Sequence, residues 1–499
     1  MIRALVLLTI LFMLSGYYIQ REHGSLGSFL TYLDVQYQLS MDDGESELGS
    51  QMEGEFASYE LPPIEQVHLI RLLRARDFAT LESLLQTYFD EFSKDVRYEG
   101  KVIGAFNVFG FEKNILDEVE EWSEQFPDSY FARVAKGKIY YDLAWKARGN
   151  KYSSETFEVQ FKDMNYYFDL AEHELKDALE GNSKLSSAYC LLVYMAAASS
   201  RKEEKNRWYK EGIKQIPYSY NIRGCYVEKL RPIWGGSYEE MENFIERSLI
   251  HKDNNPRLLL LSSFIPYYKA GAYRRDKEYE KSILEITKSI NYVKRWYNYY
   301  RRAKSYIDVG EYELALADIN SALEARPDAF GPLRKEGYIL TELGRYEEAM
   351  DVFNHAVSLY KTKYEIYQSR ARLFWALEEY DKAHQDLLKA IEINPKSAYA
   401  WKRKGILNHY HLNNSEQAIK DLTIAVGLDS DPSTWYELSS TLWHMKDQAA
   451  VPAYKSFLDF CLTETCKRVQ VEWASKFIAC VNQEPSCTWR KDFYANWVE

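Results

Sequence analysis

Four of the six cysteines lie close together near the C-terminal end of the chain, where they could form disulfides or bind a metal. They are Cys461, Cys466, Cys480 and Cys487. None has C-x-x-C spacing and no nearby histidine completes a zinc set, so we expect no metal site. Helical periodicity places Cys466 and Cys480 at opposite ends of one helix, about 20 Å apart, which is too far for a disulfide. We therefore predict the pairs Cys461–Cys466 and Cys480–Cys487, with four free thiols as the alternative.

Residues that could carry catalysis are harder to find. The sequence has no phosphate-binding loop, nucleophile elbow, zinc-protease helix or dinucleotide fingerprint, and we expect neither a cofactor nor a catalytic residue. The first candidates for a site assembled from distant residues are Arg148, Trp234 and Ser237. Their alternative role is to hold a tight turn, which the adjacent Gly235 and Gly236 favour. A binding protein is therefore favoured over an enzyme.

Composition indicates helices as the elements that position these residues. The 499 residues are 46% hydrophobic and 15% aromatic, with only 23 Gly and 13 Pro, which favours long helices with few breaks. The fold class is therefore predicted to be all-α. A formal net charge of −11 argues against a nucleic-acid partner.

The N-terminal residues have the pattern of an export or anchoring signal. Arg3 precedes an apolar run over residues 4–19, which is short for a spanning helix of about 20 residues and long for a signal-peptide core. Residues 1–22 are predicted to be a signal-anchor in the membrane, with a cleaved signal peptide and a buried helix of a cytoplasmic protein as alternatives. An anchor would leave Arg3 in the cytoplasm and place the bulk of the chain in the periplasm or outside the cell; a cleaved signal would make it secreted. Residues 23–60 are predicted to be a flexible tether.

The second half of the chain repeats a pattern every 34 residues. The segment GEYELA at Gly310 recurs as GRYEEA at Gly344 and as EEYDKA at Glu378. Small residues keep the same interval on the preceding helix, at Ala303, Gly337, Ala371 and Gly405. Two antiparallel helices approach closely where one of them offers Ala or Gly, so the period predicts stacked helical hairpins.

This pattern resembles the tetratricopeptide repeat family, which places a small residue in the first helix, a Gly-x-Tyr turn, two alanines and a closing proline. The resemblance implies a helical-hairpin solenoid over residues 256–432. The individual repeats are predicted at 296–329, 330–363, 364–397 and, with a degenerate turn, 398–432. Residues 433–499 are predicted to be a C-terminal helical cap that carries the four cysteines.

Residues 61–255 are predicted to form a separate helical domain. They resemble an uncharacterised bacterial domain of unknown function that precedes tetratricopeptide arrays. Trp122, Ala147-Arg148-Gly149 and the turn Pro232-Ile-Trp234-Gly235-Gly236-Ser237 carry this likeness. It implies an all-helical fold and no particular chemistry.

The tetratricopeptide resemblance also implies a binding groove, lined by the first helix of each repeat. The implied residues are Tyr297, Tyr300, Arg301, Lys304, Arg334, Lys335, Tyr338, Gln368, Arg372, Trp375, Tyr399, Lys402, Arg403 and His409. This set is basic and aromatic, which suits an acidic or carboxylate-bearing peptide. The alternative is that these charges form a solvated helix face. The asparagines of the family's carboxylate clamp are missing at the matching positions.

Together these patterns predict an exported, membrane-anchored helical adaptor of the cell envelope that binds a protein or peptide through its repeats. An envelope enzyme with its active site in residues 61–255, and a purely structural scaffold, are the alternatives.

Overall fold

The computed structural model describes residues 59–110, 115–149, 156–429, 431–462 and 466–483. Every regular element in these ranges is helical, which confirms the predicted all-α fold class. The predicted signal segment at 1–22, most of the predicted tether at 23–60, and Cys487 lie outside the described residues. None of the described helices is both long and apolar enough to cross a membrane.

The chain divides into two compact units, Met1–Asn298 and Tyr299–Glu499. The α-helices that begin in the first unit are α1 (Pro63–Arg74), α2 (Phe78–Lys94), α3 (Glu99–Asn107), α4 (Leu116–Gln125), α5 (Tyr130–Arg148), α6 (Glu158–Gly181), α7 (Ser186–Ala198), α8 (Lys202–Gln215), α9 (Tyr220–Glu228), α10 (Tyr238–Leu249), α11 (Phe264–Arg275), α12 (Tyr279–Tyr292) and α13 (Trp296–Val309). Short 3₁₀ helices lie at Val96–Tyr98, Pro232–Trp234 and Pro256–Ser263.

The α-helices that follow in the second unit pair as consecutive hairpins. They are α14 (Tyr312–Ala325), α15 (Phe330–Glu342), α16 (Tyr346–Leu359), α17 (Tyr364–Ala376), α18 (Tyr380–Ile393), α19 (Ala398–Tyr410), α20 (Ser415–Leu428), α21 (Pro432–His444), α22 (Ala450–Phe460) and α23 (Arg468–Gln483). The boundary between the units falls within α13.

Polar side chains as well as apolar ones tie the first unit together. Trp122 is fully buried, and its Nε1 donates a hydrogen bond to Glu82 Oε1 at 2.8 Å. Glu99 is also fully buried and accepts hydrogen bonds from the Ser219 hydroxyl and from the Asn221 amide. Burial raises the pKa of the Glu99 carboxyl, an effect that these hydrogen bonds oppose. Glu99 thereby joins the start of α3 to the start of α9.

One turn recurs between the two helices of the hairpins. The first helix ends in a residue with positive φ, and the next amide donates back to a carbonyl five residues earlier, as from Arg345 to Leu340 at 2.9 Å. This is the Schellman ending of a helix. Residues with positive φ occupy this place at Arg76, Ser200, Lys277, Gly310, Gly344, Glu378 and Lys446. Asn413 also has positive φ, but the amide of Asn414 donates to the Asn408 carbonyl, six residues earlier. Hairpins closed in this way therefore occur in both units, and most of them lack the expected glycine.

Small side chains allow the paired helices of the second unit to approach. A Cβ on Gly337 would lie 2.6 Å from the Phe353 ring, and one on Gly405 would lie 2.7 Å from Leu422 Cγ. Either distance is shorter than a van der Waals contact, so only glycine fits both places without repacking. The 34-residue interval of small residues thus marks where the two helices of a hairpin touch.

Candidate binding face

The predicted groove residues lie on α13, α15, α17 and α19, the first helices of four consecutive hairpins. Each of them keeps part of its side chain exposed. We call this set the helix-A face. Each helix of a hairpin solenoid buries one side against its partner helix. The predicted residues recur at intervals that place them on the opposite side, where they can contact a ligand.

A cation–aromatic row runs across the helix-A face and consists of Tyr338, Arg372, Trp375 and Arg403. The Arg372 guanidinium lies 5.0 Å from the centroid of the Tyr338 ring, and that of Arg403 lies 4.6 Å from the Trp375 ring. Arg372 Nε also donates to Glu342 Oε1 at 2.8 Å. Burial raises the pKa of Tyr338 to about 12, so its hydroxyl stays protonated at neutral pH. The row combines flat apolar surface with charge, but the charge of Arg372 already has a partner.

In α17 and α19 the fifth residue of the helix contacts the start of the next hairpin. Gln368 Nε2 donates to the Ser397 hydroxyl at 2.6 Å, and Lys402 Nζ lies 2.7 Å from Asp431 Oδ2. Ser397 and Asp431 are the N-cap residues of α19 and α21. Burial alone would raise the pKa of Asp431, but hydrogen bonds led by that from Lys402 outweigh it and lower this pKa well below its usual range.

Arg334 occupies the same position in the second repeat and has no such partner. The matching N-cap residue of α17 is Lys363, a cation that cannot accept a hydrogen bond. Nε of Arg334 is buried, and within the described residues its side chain makes neither a hydrogen bond nor an ion pair. A buried guanidinium nitrogen without an acceptor is unfavourable.

The remaining predicted residues take varied environments. Lys304 Nζ lies 5.0 Å from the Tyr300 ring and Lys335 Nζ 5.1 Å from the Tyr338 ring. Arg301 is half-buried, and the side chain of Tyr399 is 45% exposed.

Two aromatic residues of the predicted set are held by specific neighbours. The Tyr297 hydroxyl accepts a hydrogen bond from Arg295 Nη1 at 2.7 Å, and the residue lines a cavity of the first unit. His409 Nδ1 lies 2.9 Å from the Ser415 hydroxyl, and burial together with the nearby His444 lowers the pKa of its imidazole. His409 is therefore mostly neutral at physiological pH.

The candidate catalytic residues perform local structural roles. The Ser237 hydroxyl accepts from the Glu240 amide at 3.0 Å, while Glu240 Oε2 accepts from the Ser237 amide, which is a capping box at the start of α10. Gly235 has φ +81°, as the turn requires. Arg148 Nη1 donates to the Gly149 carbonyl at 3.1 Å, and Lys229 Nζ lies 4.3 Å from the Trp234 ring.

Two disulfides join described residues. Cys461 is bonded to Cys466, with their Cα atoms 5.5 Å apart. A second disulfide, which the sequence reasoning missed, joins Cys190 on α7 to Cys225 on α9 with a Cα separation of 5.6 Å. The proposed partner of Cys480, Cys487, lies outside the described residues, so that pairing stays a prediction.

Family models match part of the second unit. Two models, each described as tetratricopeptide repeat, match residues 300–363 and 364–397. These residues are tetratricopeptide repeats. The resemblance predicted from the 34-residue period is thereby confirmed.

Two relatives match a minor part of the chain. Human tetratricopeptide repeat protein 13 is 29% identical over 119 residues, which are 24% of this chain and 14% of that protein. The human mitochondrial import receptor subunit TOM70 is 32% identical over 95 residues, 18% of this chain and 16% of the relative. The chain thus spans less than a fifth of the length of either. Among solved structures, a tetratricopeptide repeat protein from Parabacteroides merdae is 16% identical with a TM-score of 0.40, covering 54% of this chain and 98% of that one.

The sequence predicted the cations of the helix-A face but not the acidic residues beside them. Glu342 and Asp431 pair with Arg372 and Lys402, and Glu437 on α21 lies near both Lys402 and Arg403. Burial raises the pKa of Glu437, an effect that these cations oppose. Continuing the 34-residue mapping into α21 would have identified Glu437, because it follows Arg403 by one period. The face is therefore mixed in charge, and Arg334 makes no ion pair within the described residues.

Proposed function

We propose that this chain is an adaptor that holds an acidic segment of a partner protein across its helix-A face. The observation that carries the proposal is that Arg334, a partly exposed residue, makes neither a hydrogen bond nor an ion pair within the described residues. The equivalent Gln368 and Lys402 each have an acceptor from the next hairpin. A carboxylate of the partner segment would complete the same contact at Arg334, through a charge-assisted hydrogen bond.

The cation–aromatic row gives the rest of the segment a surface to lie on. The rings of Tyr338 and Trp375 would pack against the extended backbone or apolar side chains of the partner segment. Arg403 extends the positive charge into the fourth repeat. Solenoids of helical hairpins use extended surfaces of this kind to bind. The relative TOM70 is by name an import receptor subunit, which agrees with a binding role.

Peptide selection on the full chain tests this function. Peptides of twelve residues selected from a display library should be enriched in Asp and Glu, and their affinity is measured by fluorescence anisotropy. Arg334→Glu should weaken binding at least tenfold, because a hydrogen bond to a charged group contributes about 1.5–3 kcal/mol. Arg334→Lys should lose less, since it keeps the charge but not the fork of donors.

Arg326→Glu is the matched control, because Arg326 is exposed and lies at the end of α14. It makes the same change of net charge and should leave the affinity unchanged. Peptides without acidic bias, or equal losses in Arg334→Glu and Arg326→Glu, would refute the assignment of the anchor.

The proposal also places the adaptor at the cell envelope, anchored by residues 1–22. The apolar run at 4–19 supports this placement. So do the disulfides Cys190–Cys225 and Cys461–Cys466, because such bonds persist in oxidising compartments. Cell fractionation followed by mass spectrometry of the mature N-terminus tests it. Recovery of the full chain in the cytosolic fraction with alkylatable cysteines would contradict it.

A further inference from the structure

The first unit contains a cavity of about 290 Å³ that the adaptor function does not use. It lies where the end of α9, the start of α11 and the first residues of α13 come together. Four aromatic rings line it, those of Phe264, Tyr267, Tyr268 and Tyr297. Ligand pockets are typically aromatic with a few placed polar groups, and the volume lies close to the lower end of their usual range.

An amide oxygen in the cavity wall has no hydrogen-bond partner. Asn298 is 1% exposed, and its Nδ2 donates to the Val293 carbonyl at 2.9 Å and to the Ser289 hydroxyl at 3.3 Å. Because a carbonyl can only accept, the bond to Val293 fixes which end of the amide carries the nitrogen. Oδ1 is buried and unpartnered. A buried acceptor in this state favours any ligand that brings a donor.

A hydroxyl and a carboxylate complete the polar lining. The Tyr268 hydroxyl makes no hydrogen bond within the described residues, and burial raises its pKa, so it keeps its proton as a donor. Glu228 lines the same cavity and accepts from the Tyr194 hydroxyl at 2.7 Å. The polar lining therefore offers both donors and acceptors.

The charged groups around the cavity already have partners, which makes a charged ligand of either sign less favourable than a neutral one. Glu228 in the wall repels an anion. Lys229 Nζ and Arg231 Nη2 lie 3.2 and 3.3 Å from Glu228 Oε1, and the Arg231 guanidinium lies 4.0 Å from the Tyr268 ring. Arg295 donates a hydrogen bond to the hydroxyl of Tyr297. The carboxylate of Glu228 and the rings of Tyr268 and Tyr297 therefore already contact cations of the chain. A positively charged ligand would have to displace these cations.

We propose that this cavity binds a neutral polyhydroxylated ring, such as one unit of a saccharide. A sugar ring offers hydroxyl donors for Asn298 Oδ1 and Glu228, acceptors for the Tyr268 hydroxyl, and C–H faces for the tyrosine rings. Of its lining residues this site shares Tyr297 with the helix-A face, and it requires no acidic peptide.

Saturation-transfer-difference NMR on the full chain tests the site. The probes are the methyl glycosides of glucose, galactose and N-acetylglucosamine at millimolar concentration, with choline and acetate as charged comparators. At least one glycoside should receive saturation, and neither charged comparator should. Tyr268→Phe should weaken the bound glycoside about fivefold, because it removes one hydrogen bond and keeps the ring.

Tyr166→Phe is the matched control, because Tyr166 is an exposed tyrosine of α6 and the same atom is removed. Glu228→Gln is a second variant that keeps the cavity shape and should also weaken the glycoside. Circular dichroism and the thermal midpoint verify that each variant is folded. Three outcomes would overturn the proposal: no saturation from any glycoside, preference for choline or acetate, or equal affinity in Tyr166→Phe and the two cavity variants.

Discussion

The ion pair between Arg370 and Asp386 gives a quantitative test of what stabilises a hairpin of the second unit. Nε and Nη2 of Arg370 donate to the two carboxylate oxygens of Asp386 at 2.8 Å each, and the side chains are 17% and 8% exposed. Asp386→Val leaves the guanidinium mostly buried without its acceptor. Breaking a buried pair in this way costs about 3–5 kcal/mol. Because Arg370 also donates to Asn354, we expect about 3 kcal/mol, the lower end of that range.

The second repeat supplies a natural control for this prediction. Glu336 and Val352 stand at the positions of Arg370 and Asp386, one period earlier, and the α15–α16 hairpin forms without the pair. The pair is therefore not required to build a hairpin. The double variant Arg370→Leu, Asp386→Val should cost no more than about 1 kcal/mol, because it leaves no unpaired charge.

Hydrogen exchange followed by mass spectrometry reads this out locally, since stacked repeats open in parts rather than in one transition. Peptides from residues 364–397 should exchange about 150-fold faster in Asp386→Val, the equivalent of about 3 kcal/mol, and less than tenfold faster in the double variant. Equal acceleration in both would show that the ion pair itself stabilises the hairpin, and the reasoning from the second repeat would be wrong.

Three further predictions follow from the turns, the charges and the disulfides. Glu378→Gly should stabilise the third repeat by about 1 kcal/mol and Gly344→Ala should destabilise the second by a similar amount, as judged by the same exchange measurement, because positive φ strains residues with a Cβ. The lowered pKa of Asp431 means that its contribution to stability is complete above the unfolded pKa of about 4 and is lost as pH falls below it, so Asp431→Asn should flatten acid unfolding between about pH 4 and pH 2, monitored by circular dichroism. Replacing Cys190 and Cys225 by alanine should lower the stability of the first unit by about 3 kcal/mol in urea unfolding, and reductant should then have no further effect at this site.

The repeats were predictable because their signal is local and periodic. Tyr and Ala recur every 34 residues around Gly310 and Gly344, and the packing of two helices requires small residues at that interval. The matching turns at Arg76, Ser200 and Lys277 could not be found in this way, since no glycine marks them. Their positive φ is imposed by the hydrogen bonds of the helix ending rather than by residue type.

The sequence predicted which residues lie on the helix-A face, but it did not predict which of their charges are paired. The spacing placed Arg334 and Arg372 on one face, but Glu342, which pairs with Arg372, lies 30 residues away and on another helix. Pairs between neighbouring hairpins depend on which rotamers meet across the stack, and single-residue spacing carries no such information. The unpaired state of Arg334 therefore emerged only from the structure.

The Cys190–Cys225 disulfide was missed for a similar reason, although a signal existed. The cysteines lie 35 residues apart, about one repeat length, on the equivalent helices α7 and α9. Equivalent positions on neighbouring hairpins lie close in a solenoid.

That same disulfide determines how the chain responds to tension. A solenoid pulled at its ends extends like a spring and then unravels hairpin by hairpin, releasing contour length as it does so. The bond between Cys190 and Cys225 closes a loop with a sequence separation of 35, and this loop cannot contribute to the extension, which withholds about 120 Å of extended chain. In the membrane-anchored adaptor that we propose, loaded by its partner, α8 and its flanking turns would form a segment that force cannot lengthen until the bond is reduced.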